Sequence, residues 1–239
     1  MKRWPDDSAQ HLDRSLADRL RRFPREPDML VSAARAIIAL IIRLWLRLYH
    51  RFEVVGPENL RTNRSLVMLA NHASHLDTLC LLAALPLRKL HCAFPAAAAD
   101  YFFQNVPRLW IAAVVVNALP FARQARARQG LAVCRELLNT PGNILIIYPE
   151  GTRSTTGLIQ EFKPGIGALL AGRDVPVVPC YLEGAFAAWP KGQRLPRPRK
   201  VRLIMGPPCN FASRPNEREA AAVIAAELRD EVMKLAPRK

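Results

Sequence analysis

At 239 residues the chain is long enough for one large domain with at most an appendage, and a composition half hydrophobic and 23% charged excludes a disordered or collagen-like chain. The 35 Lys and Arg against 20 Asp and Glu leave a net charge of +15, and 28 of the cations are Arg, whose fork suits phosphate and carboxylate. An anionic partner is therefore expected: a nucleic acid, a membrane surface or a phosphorylated substrate. The five cysteines (80, 92, 134, 180 and 209) form no Cys-x-x-Cys, which argues against a disulfide framework or zinc knuckle and for a reducing compartment.

Residues 1–27, with seven cations, five acids and three prolines, read as a flexible charged segment without the apolar core of a secretory signal. Residues 28–51 read as one helix, apolar almost all round and interrupted by Arg35, Arg43, Arg47 and Arg51. Their spacings of 8, 4 and 4 put these cations on one side, the rest of the surface being Ile37, Ile38, Leu40, Ile41, Ile42, Leu44, Trp45 and Leu48. Such a helix fits a bilayer interface, with the guanidinium groups meeting lipid phosphates. The longest stretch free of Asp, Glu, Lys and Arg is residues 109–122, fourteen residues, where a span needs about 20.

Beyond Gly56-Pro57 strand-like and helix-like segments alternate. Residues 65–70 predict a buried strand and 77–84 a helix ended by Pro86. A short strand at 90–94 and an Ala-rich helix around 96–104 follow, then a strand leading to Leu119-Pro120-Phe121 and a helix over 124–139. Strands are predicted at 144–148, 175–181 and 201–205, with a closing helix at 217–235. This alternation indicates an α/β sheet packed on both faces. Residues 190–200, with three prolines and five cations, read as an exposed basic loop.

Two polar clusters follow strong strands. The first is Asn71-His72-Ala73-Ser74-His75-Leu76-Asp77, where α/β folds place active sites. Asp77 lies five positions after His72, about 140° on a regular helix, so the two meet only if His72 lies on the strand-to-helix turn and Asp77 in the first helical turn. Ser74 as N-cap with Asp77 at N3 would give that geometry in a capping-box relation. If Asp77 accepts from one imidazole nitrogen, the other is left basic and oriented, as a general base requires. The second cluster is Tyr148-Pro149-Glu150-Gly151-Thr152-Arg153-Ser154, which offers close backbone approach, hydroxyls and a bidentate phosphate grip.

Together with Phe121-x-Arg123 and Val175-Pro176-Val177-Val178-Pro179, these clusters resemble the four ordered sequence blocks of the glycerolipid acyltransferase family, which includes 1-acyl-glycerol-3-phosphate acyltransferases. The resemblance covers about residues 50–210. It implies a single acyltransferase domain over residues 52–239, built on a mixed, largely parallel sheet flanked by helices. It implies His72 and Asp77 as the catalytic pair, and Arg123, Glu150, Gly151, Thr152 and Arg153 as binding the acceptor's glycerol phosphate. The block around Pro179 is tied to packing and the acyl-donor side. The implied reaction moves an acyl group from an acyl thioester, on coenzyme A or an acyl carrier protein, to the free hydroxyl of a lysophospholipid, with 1-acyl-glycerol-3-phosphate giving phosphatidic acid. No metal and no resident cofactor is expected.

No Gly-x-Ser-x-Gly elbow is present, so direct transfer is expected rather than an acyl-enzyme. The alternative considered is a membrane-surface, metal-dependent hydrolase using His72, His75 and Asp77. A nucleic-acid partner is not expected, because the aromatics gather in apolar stretches such as Tyr101-Phe102-Phe103 rather than among cations. The expected location is the cytoplasmic face of a membrane, held peripherally or monotopically by the helix at 28–51 on an anionic surface.

Overall fold

The computed structural model describes residues 29–98, 119–121 and 127–237. Seven strands, β1 (Glu53–Val55), β2 (Leu66–Ala70), β3 (Ala93–Ala98), β4 (Leu119–Phe121), β5 (Ile144–Ile147), β6 (Val177–Glu183) and β7 (Arg202–Met205), form one sheet in the order β1-β7-β6-β2-β5-β3-β4. Every neighbouring pair among them is parallel except β6 with β7. The fold is thus α/β with a mixed, mostly parallel sheet, flanked by helices α1 (Met29–Tyr49), α2 (Asp77–Ala84), α3 (Ala127–Asn139), α4 (Gly165–Leu170), α5 (Ala185–Ala188) and α6 (Arg218–Lys234).

The central strands are continuously apolar because both faces of the sheet are covered, and residue parity divides the core in two. Leu66, Met68 and Ala70 of β2 join Ile144 and Ile146 of β5 on the face covered by α1 and α2, where Leu46, Cys80 and Leu81 pack. Val67 and Leu69 join Leu145 and Ile147 on the other face, under Leu137, Leu169 and Leu228 of α3, α4 and α6. Truncating a fully buried member such as Leu69 or Ile146 to Ala should cost roughly 2–5 kcal/mol. On the second face α4 crosses α6 at Gly167, where a Cβ would collide with the Ala221 carbonyl.

Three segments differ from the sequence expectation. Residues 87–92 form a 3₁₀ turn rather than strand, and residues 93–98 extend into β3 where an Ala-rich helix was expected to begin. Pairing of Ala93 with Ile144 and of Ala96 with Leu119 supplies the hydrogen bonds that override alanine's helix preference; the remainder of that predicted helix lies outside the described residues. The Arg stripe on α1 is also turned differently. Arg35 is buried, and Arg43 donates to the Leu85 carbonyl after α2, so both face the domain. Arg47 and Arg51 stay exposed, and the exposed face carries Ile37, Leu40, Ile41, Leu44 and Leu48, a stripe about 100° wide.

The site follows from strand order. β2 and β5 are adjacent and parallel, with Leu69 opposite Ile147, so the segments leaving them emerge side by side at the carboxyl end of the sheet. β4 runs parallel with them two strand spacings from β5, about 10 Å away. Arg123, two residues beyond β4, lies outside the described residues.

Candidate active site

The turn after β2 is anchored before it reaches His72. Asn71 is buried and its side-chain amide acts as an extra strand residue, accepting from Leu182 N–H at 2.8 Å and donating to the Leu182 carbonyl at 3.4 Å. The chain then turns back on Asp77, the first residue of α2. Asp77 Oδ2 accepts three hydrogen bonds at 2.8 Å each, from the amides of Ala73 and Ser74 and from His72 Nδ1. The reach of Asp77 back to the Ser74 amide is the capping-box half that was expected. The reciprocal bond slips by one residue, with Ser74 Oγ taking Leu76 N–H at 3.1 Å, because the helix begins at Asp77 itself.

Asp77 is fully buried, so its charge sits in a low-dielectric setting with the imidazole against it. Taking His72 Nδ1 as the donor fixes the tautomer: Nε2 keeps its lone pair. Nε2 makes no hydrogen bond among the described residues, and the His72 side chain remains 22% exposed. The imidazole thus has one nitrogen tied to a carboxylate and the other facing the opening. Its plane is held by Tyr148, whose ring stacks on it at 4.1 Å between centroids and 16° between planes, while Tyr148 OH meets Thr78 Oγ1 at 2.9 Å. Burial holds the Tyr148 phenol well above its ordinary pKa, so it stays protonated.

The segment after β5 is laced to the same turn. Ser154 N–H donates to the His72 carbonyl at 2.7 Å. The Glu150 carboxylate, itself buried, accepts from His72 N–H at 2.7 Å with one oxygen and from Gln160 N–H at 3.1 Å with the other. Glu150 therefore faces inward, toward backbone. Burial, opposed by these two bonds, pushes its carboxyl up to about 7. Gly151 has φ 74, a conformation that favours glycine, and a Cβ there would lie 2.6 Å from Lys163 Nζ. Thr152 is exposed. Arg153 Nη1 lies 2.6 Å from His75 Nδ1 and 2.9 Å from its Nε2. Burial first, and the guanidinium second, hold His75 below its ordinary pKa, neutral against the cation.

His72, Asp77, Glu150, Gly151, Thr152 and Arg153 thus converge at the carboxyl end of β2 and β5, as expected from the two clusters. Tyr148 opens the second cluster but was given no role in the site, and Thr78 and Trp189 were not singled out for it. Trp189 lies 112 residues beyond Asp77 in sequence, yet its carbonyl accepts both Ser74 Oγ at 2.8 Å and His75 N–H at 3.1 Å. No local sequence signal marks a backbone carbonyl. His75 stands beside Arg153 and Trp189, and among the described residues no three His, Cys, Asp or Glu side chains are grouped to hold a metal. The hydrolase alternative finds no support. The cysteines sit in apolar settings; burial raises the thiol of Cys80 well above its ordinary value and that of Cys134 to about 12, so neither is a nucleophile.

A mostly parallel α/β sheet carrying a His–Asp pair beside an arginine loop defines the class. The acyltransferase family profile matches residues 51–183, more than half of the chain, and the chain belongs to that family. It is 27% identical over 158 residues to the 1-acyl-sn-glycerol-3-phosphate acyltransferase of Limnanthes alba, covering 66% of this chain and 54% of that protein. It is 31% identical over 148 residues to the human 1-acyl-sn-glycerol-3-phosphate acyltransferase beta, covering 60% and 51%. The chain spans about half the length of the curated relatives it matches. Among solved structures, the 1-acyl-sn-glycerophosphate (LPA) acyltransferase PlsC of Thermotoga maritima superposes with a TM-score of 0.66 at 25% identity, covering 87% of this chain and 83% of that one.

Proposed function

We propose that the chain is an O-acyltransferase that moves an acyl group from an acyl thioester to the free hydroxyl of a lysophospholipid, with 1-acyl-glycerol-3-phosphate as acceptor and phosphatidic acid as product. The observation that carries this reading is the imidazole held between Asp77 Oδ2 at 2.8 Å and the Tyr148 ring, with Nε2 open. Nε2 removes the acceptor hydroxyl's proton as its oxygen attacks the thioester carbonyl, and the His72 imidazolium forms against the Asp77 carboxylate. The tetrahedral adduct then collapses, the C–S bond breaks, and the thiolate leaves with the proton returned from Nε2. The donor is an acyl thioester of coenzyme A or acyl carrier protein, and no resident cofactor is invoked.

Arg153 grips the acceptor phosphate, with Gly151 and Thr152 lining the approach and Arg123 a further contact beyond β4. Glu150 acts on the backbone rather than on the phosphate: a carboxylate taking the His72 amide sets the position of the base. Residues 52–239 form the acyltransferase domain, and α1 presents its stripe of Ile37, Leu40, Ile41, Leu44 and Leu48 to the interior of one leaflet. Among the described residues no helix is long and apolar enough to cross a membrane, and the proposed seat is monotopic, at the cytoplasmic face. The test is mass spectrometry of products after the purified full chain is offered lysophosphatidate and acyl-CoA. Phosphatidate formation lost in His72→Ala supports the reading; free fatty acid as the only product overturns it.

A further inference from the structure

Among the described residues outside the catalytic segments, 189–200 carries five cations and no acid, and its course is informative at both ends. At the first end it is pinned to the catalytic turn. Trp189 O accepts from Ser74 Oγ and His75 N–H, and Pro190 bridges to Ser74 in antiparallel fashion. At the other end it is pinned to the end of α1. Tyr49 OH donates to the Pro196 carbonyl at 3.1 Å, His50 Nδ1 meets the Arg199 carbonyl at 3.2 Å, and Val201 N–H donates to the His50 carbonyl at 3.0 Å. Between the ends the run is braced internally, with Arg197 N–H on the Ala188 carbonyl at 2.8 Å and Trp189 Nε1 on the Gln193 carbonyl at 3.0 Å. Prolines 190, 196 and 198 stiffen it further.

The charges on and just beyond this strap divide into two sets. Lys200 and Arg202 are engaged by Glu53 and Glu183. Lys191, Arg194, Arg197 and Arg199 are all exposed, and their side chains make no ion pair or hydrogen bond among the described residues. Among them stands Leu195, 77% exposed. Four uncompensated cations around an outward leucine, fixed to the end of the exposed apolar stripe of α1 through Tyr49, have the chemistry of a surface for anionic lipid headgroups with an apolar tip for the interface.

We propose that residues 189–200 are a basic strap that docks on anionic lipid headgroups and thereby seats the catalytic turn at the bilayer surface. The proposal rests on α1 being the apolar membrane contact, and it adds the element that reads lipid charge. Lipid is favoured over an acidic protein partner such as an acyl carrier protein because the strap is pinned to the end of the helix that bears the exposed apolar stripe and carries its own exposed leucine.

The experiment compares the full chain with Lys191→Gln/Arg194→Gln/Arg197→Gln/Arg199→Gln and with Ile41→Ser/Leu44→Ser by sedimentation on phosphatidylcholine vesicles, alone and enriched in phosphatidylglycerol. None of the six side chains is buried, so each variant should keep the fold, checked by circular dichroism. Each cation near an anionic surface is worth about fivefold in partitioning. The quadruple variant should therefore lose about 600-fold on anionic vesicles if the four act independently, lose most of its salt dependence, and bind neutral vesicles as before. The α1 variant should weaken on both. A quadruple variant that keeps its preference for anionic vesicles overturns the strap, and one that keeps it while losing turnover only with acyl carrier protein as donor reassigns the surface to that partner. An α1 variant with unchanged binding overturns the α1 reading separately.

Discussion

Replacing Asp77 with Asn isolates the electrostatic part of the proposed chemistry. Asp77 Oδ2 carries three donors at 2.8 Å: the imidazole Nδ1 and the amides of Ala73 and Ser74. An asparagine oxygen at that position can accept all three, so the turn keeps its shape. Its NH₂ falls where Oδ1 now stands, buried without a hydrogen-bond partner, and leaving that group unsatisfied costs roughly 1–3 kcal/mol of stability. The catalytic loss is distinct from this. Opposite unit charges about 4 Å apart interact by roughly 4 kcal/mol at an effective dielectric near 20, and this is the stabilisation the carboxylate adds once His72 has taken the proton. Since each 1.36 kcal/mol is about tenfold, kcat should fall by about 10²–10³-fold with KM little changed, against about 10²–10⁴ for His72→Ala. The double variant should be no slower than His72→Ala alone, because the two groups act as a unit. The assay is initial-rate acyl transfer with acyl-CoA and lysophosphatidate, below the melting temperature of every variant. An Asp77→Asn protein with intact circular dichroism and more than a tenth of the wild-type rate would refute the reasoning.

Arg153→Ala should raise the KM for a phosphorylated lysolipid by about 10–100-fold, the loss of a charge-assisted contact, and leave the acyl-donor KM nearly unchanged; equal effects on both would make Arg153 a structural residue. For Glu150, burial raises the folded-state carboxyl to about 7 from an ordinary 4.5, so the folded protein holds that proton more tightly than the unfolded chain does. Its contribution is fully present below about pH 4.5 and is lost as pH rises through 7, an order of 3 kcal/mol. The stability of wild type relative to Glu150→Gln, measured by thermal melts at pH 5 and pH 8, should therefore decline with pH, and parallel curves would contradict the burial assigned to this carboxyl.

Much of the architecture was legible because central parallel strands are written in continuous apolar runs. Residues 65–70 and 144–148 read as buried strands for that reason, and the strands formed, Leu66–Ala70 and Ile144–Ile147, are buried throughout. The short edge strand β1 and the four-residue helix α5 carry too few residues to show any period. The His–Asp spacing was informative because only a turn could close it. The groups that steady the pair were not: Tyr148 reads as the end of a strand, and the Trp189 carbonyl belongs to the backbone. Glu150 was grouped with phosphate-binding residues by its place in a block, whereas its burial against two amides is a tertiary fact that no local pattern encodes.

The orientation of α1 follows from what each of its faces can reach. A helix apolar all round has no single preferred side, and here two sides are used differently. Ala39, Ile42, Trp45 and Leu46 pack on the α2 face of the sheet, with Leu46 fully buried. Arg43 lies beside that seam because the carbonyl of Leu85, at the end of α2, offers it an acceptor and the carboxyl end of a helix favours a cation. The outward stripe from Ile37 to Leu48 is left with nothing among the described residues to cover it, and Leu48 is 72% exposed. Removing α1 altogether would strip the cover from Leu46's neighbours in the core and confound membrane binding with unfolding. The proposed membrane role is therefore testable only from the outer face, where Ile41→Ser/Leu44→Ser changes what would meet lipid while leaving Leu46 seated.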